Sequence, residues 1–351
     1  MKGAANLNRI SKKRPARDAT KVTLGMVATA AGVSPSTVSR ILNGTAVVSA
    51  DKRAAIEQAI TSLGFVPDPV ARALAGGRTQ SIGVITQAID SPFYGVALRG
   101  IEVELGGAGY NALFVSGQWD AAEEARCIDM LRTRRVDGII VLTGRLSDQA
   151  LRACAKALPV VVTGRALKAP GLYSLAFDNF EGARQATHHL LTLGHRRIAF
   201  ISGDPRHPDA MERQRGYRAA LEAAGVIYRA SLVMPGQYHE ESGAVAVERL
   251  LDSRERFTAI FAANDQMAIG ANLALHRRGL KVPADVSLVG FDDLPVAVYS
   301  IPPLSTVRQP VYELGRAAAS SMLQLLAGEK PSIAMPAPQL VARASSRNLP
   351  A

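Results

Sequence analysis

The chain has 351 residues, 48% of them hydrophobic, and 41 Lys/Arg against 30 Asp/Glu give a formal net charge of +11. That length holds a small module plus one large or two medium domains. Cys127 and Cys154 stand far from any metal-ligand spacing, so they read as buried thiols, not a disulfide scaffold or zinc site, and no apolar run approaches membrane-spanning length.

Twelve Lys/Arg and four Asp/Glu fall within the first 80 residues, so a head of net +8 precedes a nearly neutral body. A basic head suits contacts to phosphates, which release counterions. Residues 1–20, with Lys12, Lys13 and Arg14, read as a disordered basic tail, either solvated or phosphate-seeking. They lack the apolar core of a signal peptide, and a reducing cytoplasm suits the two thiols.

Two short helices joined by a tight turn follow. Leu24, Val27 and Ala28 form one apolar face, and Val38, Ile41 and Leu42 form the other. Gly32 suits a left-handed turn, and Ser34 is a natural N-cap with Pro35 at the first helical position. This is a helix-turn-helix, whose second helix enters the major groove of DNA N-terminus first. Ser49 is expected to cap a third helix, Ala50 to Leu63, closed by Gly64, completing a DNA-binding domain over 21–67. Residues 68–79 read as a hinge: Asp68 caps a helix with Pro69 at N1, and Gly76–Gly77 end it after barely two turns. So short a helix is marginal alone and folds when something docks it.

From Ser81 the pattern changes to Val/Ile-rich runs alternating with amphipathic stretches. Strands are predicted at 82–85, 112–115, 138–142, 160–162, 198–201, 258–262 and 286–290. Helices are predicted at 95–105, 121–131, 183–193, 214–224, 242–251 and 266–277. This alternation argues α/β, doubly wound parallel sheet in two similar lobes, with ligands at the carboxyl ends of the strands. Polar residues cluster there. Arg213, Asn264 and Asp292 could converge on a cleft and clamp vicinal hydroxyls or a purine edge. Asp178 and Asp265 read as N-caps. His188, His189 and His195 have no ligand spacing beside carboxylates and read as helix-end or surface residues. No metal site is expected. No G-x-G-x-x-G follows the first strand, and no phosphate loop or nucleophile elbow is present, so an enzyme is disfavoured.

The phrases TLGMVATAAGVSPSTVSRILNG, VPDPVARALAGG, SIGVI, LGHRRIAFISG, RQRGYRAAL, AANDQMAIGA, VSLVGFDD and IPPLSTVRQP together resemble the lactose/galactose repressor family, from about Val22 to Ser346. The resemblance implies an N-terminal all-α helix-turn-helix domain and a periplasmic-binding-protein-like (type I) α/β core over 80–346. Lobe 1 would span about 80–178 and 310–338, and lobe 2 about 179–309 and 339–346. It implies a homodimeric regulator, a repressor, on a pseudo-palindromic operator of double-stranded DNA, with a small-molecule effector between the lobes and no cofactor. By position, Pro35, Ser36 and Arg40 fall in base-reading slots, with Thr37 and Asn43 beside them. Leu74 falls in the slot of a leucine wedged into the minor groove, where an apolar side chain can unstack a base step. Gln309, in the last phrase, joins the effector set. Tyr238 matches a position where relatives stack an aromatic on the ligand, and Phe93 or Tyr94 could stack from the other lobe. The effector expected is a carbohydrate or its derivative. The alternatives are a purine or other metabolite, or a solute-binding protein without DNA function.

Three departures stand out. Met26 replaces an acidic residue, leaving Thr23 to cap without a capping-box partner. Asp68 replaces the usual asparagine before the hinge helix. Gly164–Arg165 stands where several sugar-responsive relatives place an aspartate, so Arg165 is either a ligand contact or a surface cation. After Ser346 no terminal leucine heptads follow, which favours a dimer over a tetramer joined by a coiled coil.

Overall fold

The computed structural model describes residues 22–42, 48–65 and 78–349, in two units that divide between Thr79 and Gln80. The basic tail, Asn43, and the hinge with Asp68 and Leu74 lie outside the described residues.

In the first unit, α1 (Leu24–Ala30) is capped by Thr23, whose side chain accepts the Met26 amide. Gly32 takes the left-handed conformation, φ 65°, and the Val33 amide reaches back to the Ala28 carbonyl at 3.0 Å. That closes the turn into α2 (Pro35–Leu42), where the Ser34 hydroxyl accepts the Thr37 amide at 3.2 Å. The third helix, α3 (Ala50–Leu63), ends at left-handed Gly64. Ser49 stands at its cap position, but the side chain makes no capping bond. Asp51 in the first turn supplies negative charge to the helix end instead. Val27, Val38 and Ile56 are fully buried, with Ala28, Ala59 and Phe65 around them.

The second unit contains two parallel sheets. The first runs β2-β1-β3-β4-β5, built from β1 (Ser81–Thr86), β2 (Asn111–Ser116), β3 (Gly138–Val141), β4 (Val160–Thr163) and β5 (Leu172–Leu175). On its faces lie α4 (Pro92–Gly107), α5 (Ala121–Thr133) and α6 (Asp148–Ala155). β1, β3 and β4 are buried along nearly their whole length, which is why they read as continuous apolar runs.

The chain then crosses to a second lobe through α7 (Asn179–Thr192), β6 (Ile198–Ser202), α8 (Pro208–Ala223), β7 (Val233–Pro235), α9 (Glu240–Asp252), β8 (Ala259–Ala262), α10 (Asp265–Arg277) and β9 (Ser287–Val289). Its sheet runs β7-β6-β8-β9. A short helix, α11 (Val296–Tyr299), precedes β10 (Thr306–Arg308), and α12 (Val311–Leu326) returns to pack on α4 in the first lobe. β11 (Gln339–Val341) pairs antiparallel with β10 beside α7. In both lobes the order reverses at the first strand, between β1 and β3 and between β6 and β8, which leaves a crevice beyond the strand ends.

Close helix pairing depends on glycine. A Cβ on Gly270 would strike the Glu240 carbonyl, and one on Gly243 the Met267 carbonyl, so α9 and α10 meet backbone to backbone.

Two expectations in this unit are corrected. His195 stands at the end of α7, its amide bonding the Leu190 carbonyl, but it is no surface residue: it is 2% exposed, and its ring bonds Thr258 at 2.8 Å, Ser287 at 3.0 Å and the Arg347 carbonyl at 3.2 Å. Asp178 caps α7 as expected. Asp265 does not cap α10, because Asn264 before it has the extended backbone and accepts the Met267 amide. Asp265 instead turns inward, accepting from the Leu294 amide at 2.8 Å and the Thr306 hydroxyl at 2.6 Å.

Candidate functional site

A cavity lies between the two lobes, lined by residues of both. Its walls come from the segments that follow strand ends. In lobe 1, Phe93 and Tyr94 begin α4, Trp119 follows β2 and Thr143 follows β3. In lobe 2, His207 and Asp209 follow β6, Tyr238 follows β7, Asn264 and Gln266 follow β8, and Asp292 follows β9, with Arg213 from α8. Five of the six predicted effector residues, Phe93, Arg213, Tyr238, Asn264 and Asp292, thus share one cavity. Gln309 does not line it. It is 7% exposed and donates from Nε2 to Asp292 Oδ1 at 3.3 Å, so it orients the aspartate from behind.

Arg213 is the hub. It is 4% exposed. Its Nε donates to Asn179 Oδ1 at 2.8 Å, Nη1 donates to the Ala263 carbonyl, and Nη2 lies 3.6 Å from Asp292 Oδ1. The guanidinium covers the Phe291 ring, 3.9 Å from its centre, a cation–π contact that fixes its plane. Asn179 links onward, its Nδ2 donating to Asp209 Oδ1 at 3.1 Å. Asn264 is engaged at both ends of its amide: Oδ1 caps α10, and Nδ2 donates to the Tyr238 carbonyl at 2.9 Å.

The electrostatics follow from burial. Desolvation raises Asp292 to about 7; Arg213 and Gln309 oppose the rise, and Asp209 adds to it. Desolvation also raises Asp209, against Arg213 and Arg165. His207 is depressed to about 4, chiefly by burial, and is neutral at pH 7. The Tyr238 hydroxyl is buried without a hydrogen-bond partner, and burial raises its pKa. A buried unsatisfied hydroxyl is costly, so this oxygen is poised for a polar group entering the cavity. Gly203 makes room for the ring, since a Cβ there would overlap it.

Aromatic rings span the cleft. Tyr94 lies between Phe93 and Trp119, with centroids at 5.3 and 6.2 Å, and Trp119 meets His207 of the other lobe edge-on at 3.9 Å. The strained positions are concentrated here: Trp119, Thr143, Tyr238 and Asp292 all have positive φ, a cost that surrounding bonds must hold in place. Buried Gln87 does so in lobe 1, accepting the Trp119 amide at 2.9 Å and donating to the Thr143 carbonyl at 3.0 Å. Arg145 of lobe 1 reaches Asp204 of lobe 2 at 3.1 Å.

Arg165 fulfils neither of its two expected roles. Its guanidinium donates to the Gly144 and Leu146 carbonyls and lies 3.5 Å from Asp148, so it braces a lobe 1 loop. A carboxylate of the opposite lobe comes close here: a side chain begun at Gly164 would meet Asp209 Oδ1 at 3.6 Å. Sequence reading missed Trp119, Thr143, His207, Asp209 and Gln266. Their signal was the one already used, polar or aromatic residues just beyond a strand.

In the first unit, Pro35, Ser36 and Arg40 are exposed on α2 and Thr37 is half-buried. Ser34 bonds the Ser36 and Thr37 hydroxyls at 2.9 and 2.8 Å, and Arg40 Nε donates to the Ser36 carbonyl at 3.3 Å. The start of α2 thus presents an ordered hydroxyl cluster beside a guanidinium. Among the described residues there is no cluster of His, Cys, Asp and Glu that could hold a metal, and no helix long and apolar enough to cross a membrane.

A helix-turn-helix unit joined to a two-lobed ligand-binding core defines a ligand-responsive transcriptional regulator. Residues 23–68 match the model of bacterial regulatory proteins of the lacI family, and 187–346 match a periplasmic binding protein-like domain. The chain is 37% identical to the HTH-type transcriptional regulator CelR of Thermobifida fusca over 88% of its own length and 92% of the relative's. Among solved structures, a lac repressor dimer bound to operator and the anti-inducer ONPF superposes with TM-score 0.82 at 30% identity, covering 93% of this chain and 99% of that one. A CelR–cellobiose complex superposes with TM-score 0.68 at 35% identity, covering 93% and 100%. The chain belongs to the lacI family of bacterial regulatory proteins.

Proposed function

We propose that this regulator is a cytoplasmic homodimeric repressor whose operator affinity is set by a carbohydrate held between the lobes. The convergence of Arg213, Asp292, Asn264 and Tyr238 with lobe 1 aromatics on one cavity carries this reading. Paired acceptors and donors grip vicinal hydroxyls, while an aromatic face covers the apolar face of a pyranose. The relatives agree in kind, one being held with cellobiose and another with operator and anti-inducer. Phe93 stacks from lobe 1, and Gln309 positions Asp292.

On DNA, Pro35, Ser36, Thr37, Arg40 and Asn43 read the major groove, and Leu74 wedges the minor groove from the hinge over 68–79. Effector bridging the lobes favours one closure angle. In a dimer that angle alters the spacing of the two hinges, and a few kcal/mol of differential binding is enough to switch operator affinity. The second copy has a surface to meet. Tyr299 and Ile301 are 81% and 89% exposed, with Val296, Val298 and Leu273 also exposed, an apolar group suited to a dimer interface.

The experiment is selection of fragments from the source genome by purified protein at about physiological salt, followed by gel shifts with candidate sugars. A pseudo-palindrome released by a sugar is the expected result, and Arg40→Ala should relax base preference as well as weaken binding. A bound palindrome that no sugar affects would leave the repressor and remove the carbohydrate. A uniform loss on all sequences in Arg40→Ala would reduce Arg40 to a phosphate contact.

A further inference from the structure

Arg213 and His207 are the basic side chains in the cavity lining. The Arg213 guanidinium donates through Nε to Asn179 and through Nη1 to the Ala263 carbonyl, and Nη2 lies 3.6 Å from Asp292, so its charge is already balanced by a carboxylate. His207 is neutral at pH 7. The nearby cations do not line the cavity: Arg165 donates to lobe 1 carbonyls, and Arg145 pairs with Asp204 through Nη2 while its Nε has no partner. Two carboxylates remain facing the cavity, Asp209 and Asp292, with one guanidinium between them.

Helix N-termini could in principle offset this, since they attract anions. Here their donors are reduced. Pro92 and Pro208 stand at the first helical positions of α4 and α8 and remove an amide each. The Asn264 side chain takes the Met267 amide of α10, and Asp209 already places its negative charge in the first turn of α8. Burial and the neighbouring Asp209 both resist ionisation of Asp292, and the same field resists an incoming phosphate.

We propose that Asp209 is a specificity-determining residue that makes this cavity select an uncharged carbohydrate and reject its phosphorylated form. This rests on the carbohydrate reading above and narrows it. Asp209 sits at the seam of the lobes, held by Asn179 in lobe 2 and facing Gly164 in lobe 1. It can accept hydroxyls from a neutral ligand, whereas a phosphate there would meet a buried carboxylate beside cations, Arg213 and Arg165, that already bond protein acceptors.

The test uses full-length protein and native mass spectrometry with matched pairs differing only by phosphate: glucose and glucose 6-phosphate, ribose and ribose 5-phosphate, cellobiose and its 6-phosphate. The same protein is also equilibrated with a soluble metabolite extract and its retained small molecules are weighed. The expected result is retention of neutral sugar, with each phosphorylated partner bound more than about tenfold more weakly. In Asp209→Asn, which keeps an acceptor for Asn179, that gap should narrow several-fold. A phosphorylated sugar bound as tightly as its parent overturns the selectivity while leaving the carbohydrate reading intact. An unchanged gap in a folded Asp209→Asn removes the role of Asp209 in it. Retention of no carbohydrate at all, from pairs or extract, overturns the carbohydrate reading and this inference with it, and operator binding then remains as a separate result.

Discussion

At the scale of single residues, the cavity is an arrangement of buried charge that costs stability in return for recognition. Asp292 lies at about 7, well above its ordinary 3.8, because burial penalises its ionised form. The folded state therefore holds this proton more tightly than the unfolded chain. The stability that the proton contributes is complete below about pH 4 and is lost as pH rises through about 7. His207, at about 4, and His189 and His195, also held below their ordinary 6.5, add stability as pH rises past that value. Against that rise, Asp292 should contribute roughly 1 kcal/mol of loss between pH 6.5 and 8 in the ligand-free protein. Asp265, also held above its usual range, leaves some slope behind. Thermal melts of Asp292→Asn should lack this loss, and parallel curves for the two proteins would move the titration elsewhere.

At the scale of elements, four helices begin before their apolar periodicity does. Predicted starts at Gly95, Ala183, Gln214 and Ser242 became Pro92, Asn179, Pro208 and Glu240. Apolar periodicity begins only where a helix turns its face to the sheet. The first turns of α4 and α8 face the cavity instead and carry Phe93, Tyr94, His207 and Asp209. Of these, His207 and Asp209 carry no apolar periodicity, because their role lies in the site and not in packing. α12 went unpredicted although amphipathic, as did short edge and bridging strands such as β7 and β11, which are too brief for a pattern.

The paired helices make a second prediction at this scale. Because a Cβ on Gly270 meets the Glu240 backbone, which cannot rotate away, Gly270→Ala should destabilise the core by ~1–3 kcal/mol through overpacking. Urea unfolding would register this as a lower midpoint at unchanged slope. A neutral outcome would mean that α9 can slide along α10.

At the scale of the whole molecule, the function asks two copies to act together. If the exposed group around Tyr299 and Ile301 is the meeting surface, Tyr299→Asp combined with Ile301→Asp should yield a folded monomer in sedimentation. Burying unpaired carboxylates in an apolar interface is strongly unfavourable. Operator affinity should then drop by orders of magnitude, because each half-site must be bound singly. A dimer that survives both substitutions would place the interface elsewhere, with Phe114 on β2 and Met130 on α5, both 38% exposed, the next residues to change.

The sequence by itself determined the helix-turn-helix, the α/β class with its parallel strands, and most of the polar set around Arg213. Each is written in local terms: a cap and a glycine at set spacing, an unbroken Val/Ile run, a polar residue just past a strand. Only the tertiary structure decided which polar residues share a cavity and which stand behind it. Gln309, read as a ligand contact, and Arg165, read as a ligand contact or a surface cation, are both braces, because their hydrogen bonds go to Asp292 and to lobe 1 carbonyls. Asp209, in the first turn of α8, is part of the site because the segment after β6 delivers it opposite Gly164 of the other lobe. Such placements depend on the chain crossing between lobes, a long-range relation that no local pattern carries.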